Sequence, residues 1–65
     1  MKNKLKYYRT IVHDYTIREL AEKSGVSRAT ITALENEPEK AANTSTLESL
    51  AEAVGASVGD VFFTE

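Results

Sequence analysis

The chain has no cysteine and only one histidine, His13. No disulfide or thiolate metal site can brace it, and a single imidazole makes no metal site alone. No apolar run approaches the roughly 20 residues that span a bilayer, and no signal-peptide core follows Met1. There is no Ser/His/Asp set, no carboxylate pair spaced for acid–base chemistry and no glycine-rich phosphate loop. Neither catalysis nor a cofactor or metal is expected. Strand-like alternation, internal repeats and low-complexity tracts are missing too. These absences leave one small soluble, cytoplasmic helical domain covering residues 1–65. A chain of this size buries only about 60% of its unfolded surface, so its helices must pack well or pair with another copy.

The net charge of −2 is unevenly spread. Residues 1–30 hold seven cations against three acids, and residues 31–65 hold Lys40 against seven acids. One half is basic and the other acidic. A phosphate backbone responds to a local basic face, not to a total.

Apolar spacing predicts five helices. The first runs from Lys2 to about Val12, with Leu5, Tyr8, Ile11 and Val12 as its inward stripe and the lysines and Arg9 on other faces. His13-Asp14-Tyr15 is a turn. Thr16 opens the second helix, and Glu19 three residues on completes a capping box. Leu20 and Ala21 face inward, and Gly25 ends the helix by taking a left-handed conformation. Ser27 caps the third helix, about Arg28 to Asn36, which buries Ile31 and Leu34. Pro38 prevents its continuation. The fourth helix spans about Thr44 to Val54, capped by Ser45 (with Glu48) or by Asn43. Leu47, Leu50, Ala51 and Val54 point inward, and Gly55 closes it. Ser57 then starts a short fifth helix, whose Val58, Val61 and Phe62 cover the core and leave Phe63 over.

Within this series the spacing from Ile17 to Asn36 is specific. Ala21 is small where a second helix must cross directly over it. Gly25 permits a sharp turn. Leu20, Val26, Ile31 and Leu34 form the wedge that sets the interhelical angle. That layout predicts a helix-turn-helix, which places its second helix in the DNA major groove.

The stretch LAEKSGVSRATITALEN, set in an all-α chain of five helices, closely resembles the phage repressor/Cro-like (Xre-type) helix-turn-helix family. The resemblance covers residues 4–62, with TLESLAEAVGASVGDVFF supplying the family's closing pattern. It implies a compact lambda-repressor-like domain in a bacterial or phage transcriptional regulator that binds double-stranded operator DNA as a homodimer. It also implies an ion pair between Glu35 and an arginine of the first helix, here Arg9. Four departures mark this chain. Ile17 stands where the family usually has a phosphate-gripping glutamine. Glu37 replaces a glycine. The loop EPEKAA is acidic instead of basic, and the turns before Thr16 and before the fourth helix look one residue long.

The resemblance places the DNA contacts at Ser27, Arg28, Ala29, Thr32 and Ala33, with Thr30 alongside. Arg28 is the candidate for bidentate pairing with guanine. Ser27 would cap the helix, bond a phosphate, or both. Small residues at 29, 32 and 33 offer only methyl or hydroxyl contacts, so DNA shape would carry much of any specificity. Thr16, Ile17 and Arg18 sit at the start of the second helix, where free amides favour phosphate, and Lys40 is the loop's candidate phosphate contact. Tyr7, Tyr8 and Tyr15 are expected in core or rim packing. Phe63 and the acidic end of the fifth helix form the expected dimer surface. The competing expectation is a protein-binding module on the same fold, such as a modulator of a partner regulator or an antitoxin. Its supports are the missing glutamine, the acidic loop and the acidic C-terminal half. Met1 and the five-helix core favour an independent protein over a fragment.

Overall fold

Most helices in this protein begin where a side chain caps them. The computed structural model describes residues 3–37 and 42–63. Among these residues there are five helices and no strand: α1 (Leu5–Tyr7), which runs on into a wider turn over Tyr8–Val12, then α2 (Ile17–Ser24), α3 (Arg28–Asn36), α4 (Thr44–Ala53) and α5 (Val58–Phe62).

Four of these starts carry a side-chain cap. Thr16 Oγ1 accepts from the Glu19 amide at 3.0 Å, and the Glu19 carboxylate accepts from the Thr16 amide at 2.9 Å, completing the capping box. Ser27 accepts from the Thr30 amide and Ser57 from the Asp60 amide. Of the two caps open to α4, Asn43 is the one used: its side chain accepts from the Thr46 amide at 2.9 Å, and Ser45 donates to Asn43 instead of capping. Each such cap stabilises a helix by about 1 kcal/mol. Gly25 ends α2 with φ 74°, a conformation in which a Cβ would crowd the following carbonyl.

The core joins every helix: Leu5, Leu20, Ile31, Leu34, Leu50, Ala51, Val54, Val61 and Phe62 are buried together. Ala21, Val26, Leu47 and Val58 are half-buried against it. The first and last helices are tied by the Lys4 amide, which donates to the Val61 carbonyl at 2.7 Å. Asn3 ties the start of the first helix to α3 by donating to the Leu34 carbonyl at 2.9 Å.

The first helix corrects the periodicity reading. The inward stripe holds at Leu5 and, half-buried, at Tyr8, but Ile11 is 71% exposed and Val12 is 49% exposed. Arg9, expected on an outer face, is buried. The cause is the backbone. From Tyr8 the chain makes π-type bonds five residues long, such as His13 N–H to the Tyr8 carbonyl at 3.1 Å. A π turn takes more residues per revolution than an α turn. Side chains after Tyr8 therefore lag behind the 3.6-residue period, which turns Ile11 and Val12 outward, while Arg9, four residues after Leu5, stays on the face of Leu5.

The turn that follows is held by aromatic contacts. His13 and Tyr15 stack with centroids 4.9 Å apart, and Lys23 Nζ lies 5.1 Å from the Tyr15 centroid. His13 Nε2 donates to the Val54 carbonyl at 2.6 Å, so the turn also closes over the C-terminal end of α4. Among the described residues no helix is long and apolar enough to cross a membrane.

Candidate nucleic-acid interface

The orientation of α3 is fixed from behind. Ile31 and Leu34 are buried in the core, and Glu35 anchors the same helix to the first. Arg9 Nε donates to Glu35 Oε2 at 2.7 Å and Nη2 donates to Oε1 at 2.9 Å, a bidentate fork. Arg9 Nη1 donates to the Tyr15 carbonyl at 2.9 Å, so one guanidinium ties α3, the α1–α2 turn and its own helix together. The hydrogen bond to Glu35 is the main cause that raises the Arg9 pKa above the usual arginine range, and burial only partly opposes it. The one-residue change in the turn length does not move Arg9 out of reach.

What this anchoring leaves outward is the expected reading face. Arg28, Ala29 and Thr32 are exposed, while Thr30 and Ala33 are half-buried. Arg28 has no ion-pair partner among the described residues. Ser27 is exposed but engaged: besides its capping bond, its hydroxyl donates to Thr30 Oγ1 at 2.9 Å. That internal bond competes with a phosphate for the Ser27 proton.

At the start of α2 the picture is mixed. Thr16 is exposed, yet its own amide is already taken by the Glu19 carboxylate. Ile17 is half-buried and packs against the core. Arg18 is exposed and faces Glu22 one turn on, at 3.5 Å. Lys40, with the acidic loop around it at residues 38–41, lies outside the described residues.

The fold brings Arg18, Ser27 and Arg28 together. They line one open cleft of about 680 Å³ between α2 and α3, with Ala21 and Glu22 completing its wall. Two features of this surface were missed in the sequence. Glu22 is a carboxylate in the cleft itself, and its spacing of four from Arg18 was the available signal. The other is a smaller groove of about 350 Å³, lined by the hydroxyls of Ser24, Ser27, Thr30, Ser45, Thr46 and Ser49 where the motif's turn meets the first turns of α4. Ser45 and Ser49, four apart on one helix face, were its signal.

The helix-turn-helix family model matches residues 5–61 of the chain. The protein belongs to the Xre/Cro-like helix-turn-helix family. A stretch of 35 residues is 63% identical to an uncharacterized HTH-type transcriptional regulator of Methanocaldococcus jannaschii, covering 54% of this chain and 52% of that protein. The fold is similar to a chain of the SinR protein/SinI protein complex, with a TM-score of 0.78 and 28% identity over 86% of this chain and 53% of that one. This helix-turn-helix chain thus spans about half the length of either relative.

Proposed function

We propose that this helix-turn-helix protein is a sequence-specific DNA-binding transcriptional regulator, acting in the cytoplasm without enzymatic chemistry of its own. The observation that carries the reading is the division of α3: Ile31, Leu34 and Glu35 are held inside, while Arg28 stands exposed at the N-terminal end beside a cleft with a second arginine. Kinship with a transcriptional regulator supports it. In this reading α3 enters the major groove. Arg28 pairs with guanine O6 and N7, and Ala29, Thr32 and Ala33 meet thymine methyls and sugar edges. Ser27, Thr30, Thr16, Ile17 and Arg18 follow the phosphate backbone, joined by Lys40 from the loop. Two copies meet through Phe63, which is 62% exposed, and the end of α5, placing half-sites about 34 Å apart.

The test is selection of duplexes from a random pool, followed by binding of the enriched duplex with Arg28→Ala. A lost bidentate contact costs about 1–3 kcal/mol, or roughly five- to 150-fold in affinity. An enriched two-fold-symmetric site weakened to that degree supports the regulator. An enriched site bound equally by the variant removes Arg28 from the readout.

A second reading has its own observation. Tyr7, Ile11 and Val12 leave an apolar stretch exposed on the first helix, which a DNA-reading face does not use. The resemblance to a chain from a two-protein complex is in keeping with a partner regulator docking on this fold. Failure to enrich any duplex, with partner binding intact in Arg28→Ala, would favour it.

A further inference from the structure

The cleft that would receive DNA contains one group that works against it. Glu22 lines the cleft with Arg18 and Arg28, so a carboxylate accompanies the two guanidiniums. It lies one helical turn from Arg18 on the same face of α2, with Arg18 Nε 3.5 Å from Glu22 Oε2. We propose that Glu22 is a positioning residue that restrains DNA affinity by holding Arg18 away from the phosphate backbone. The proposal rests on the DNA-binding reading above.

The physical argument is one of exchange. Both side chains are largely exposed, at 76% and 66%, and the pair is long, so it is weak and easily broken. A phosphate arriving at Arg18 must displace the carboxylate, and the proton donors of one guanidinium are then shared between two anions. Arg28 is not held in this way: no ion pair engages it among the described residues. The two arginines of the cleft thus differ in readiness. Arg28 is free to search the groove, and Arg18 joins the backbone only after its internal partner yields. Because phosphates are common to every sequence, the restraint lowers affinity uniformly and leaves base preference to α3.

The Glu22→Gln variant keeps the shape and removes the charge. The probe is a fluorescein-labelled duplex of mixed sequence, titrated by anisotropy over a potassium chloride series from about 50 to 200 mM. Wild type, Glu22→Gln, Arg18→Gln and the double variant are compared, with far-UV circular dichroism to check that all four fold. Glu22→Gln is expected to bind about two- to fivefold tighter at the low-salt end, the scale of one exposed charge pair. Its salt slope should steepen by about 0.9 per protomer as Arg18 gains one phosphate. In the Arg18→Gln background the gain should shrink to less than about twofold, the coupling expected of residues acting through one another. An unchanged affinity and slope in Glu22→Gln, with wild type binding normally, overturns the proposal alone. An equal gain in both backgrounds also overturns it, since Glu22 would then repel phosphate without acting through Arg18. A duplex bound by none of the four proteins refutes the DNA reading itself, and the restraint falls with it.

Discussion

Replacing Arg9 with methionine should strongly destabilise this protein. The substitution keeps much of the side-chain volume and removes the guanidinium. Three hydrogen bonds that it donates go with it, two to Glu35 and one to the Tyr15 carbonyl. The Glu35 side chain is only 5% exposed, so its carboxylate would be left in a poorly solvated site without its cation. Breaking a buried pair from one side costs about 3–5 kcal/mol. A domain of 65 residues has a total stability of roughly 3–10 kcal/mol at about 0.05–0.15 kcal/mol per residue. One substitution therefore removes about a third or more of the whole, and a melting temperature lower by roughly 12–40 °C follows from about 4–8 °C per kcal/mol. Urea denaturation followed by circular dichroism at neutral pH measures it. Pairing Arg9→Met with Glu35→Leu should recover most of the loss, because an apolar pair replaces the orphaned charge. A loss under about 1 kcal/mol for Arg9→Met would mean the pair behaves like a surface pair, and the argument from burial would be refuted. The pH dependence has a definite sign. The folded protein raises the Arg9 pKa, so the stability gained from its charge is complete below the ordinary arginine value. It is lost only as the pH climbs through the raised one. Arg9 itself should add no slope to stability in the neutral range.

Two further outcomes follow from the same geometry. Gly25→Ala should cost about 1–2 kcal/mol, seen as a lower urea midpoint. The cost is backbone strain at φ 74° alone, because a Cβ there meets nothing within 4 Å; a larger loss would point to a clash. Ile11→Lys should change stability by less than about 0.5 kcal/mol, since the side chain is 71% exposed. A marked loss, checked by thermal melting at two protein concentrations, would mean that this face is covered in solution.

Most of the fold was legible because its signals are local. Thr16, Ser27 and Ser57 each cap the helix they were expected to start, and Gly25 turns where the spacing required it. Ile31, Leu34, Leu50 and Val61 are buried at the positions the 3.6-residue period assigns. The choice between Asn43 and Ser45 was open because both side chains have the reach, and only the backbone path decides which accepts the Thr46 amide. The second half of the first helix was illegible for another reason. A π turn leaves no mark in the apolar pattern, and Glu35, the partner that Arg9 meets, lies far along the chain. Ile11 and Val12 look like core residues in the sequence and lose that place to an arginine. At the candidate interface, the exposed Arg28, Ala29 and Thr32 could be placed by counting around α3. The cleft could not, since Glu22 and Arg28 become neighbours only once the two helices cross.

The buried anchoring of α3 has a consequence for how the protein can change over generations. Arg28, Ala29 and Thr32 are exposed, and none has a side-chain hydrogen bond or ion pair among the described residues. Substitutions at such places shift stability by less than about 0.5 kcal/mol. Ile31, Leu34 and Glu35, interleaved with them on the same nine-residue helix, carry the burden of folding. The outer face can therefore drift through many side chains while the inner face is held constant, and a new surface chemistry can be tried without putting the domain itself at risk.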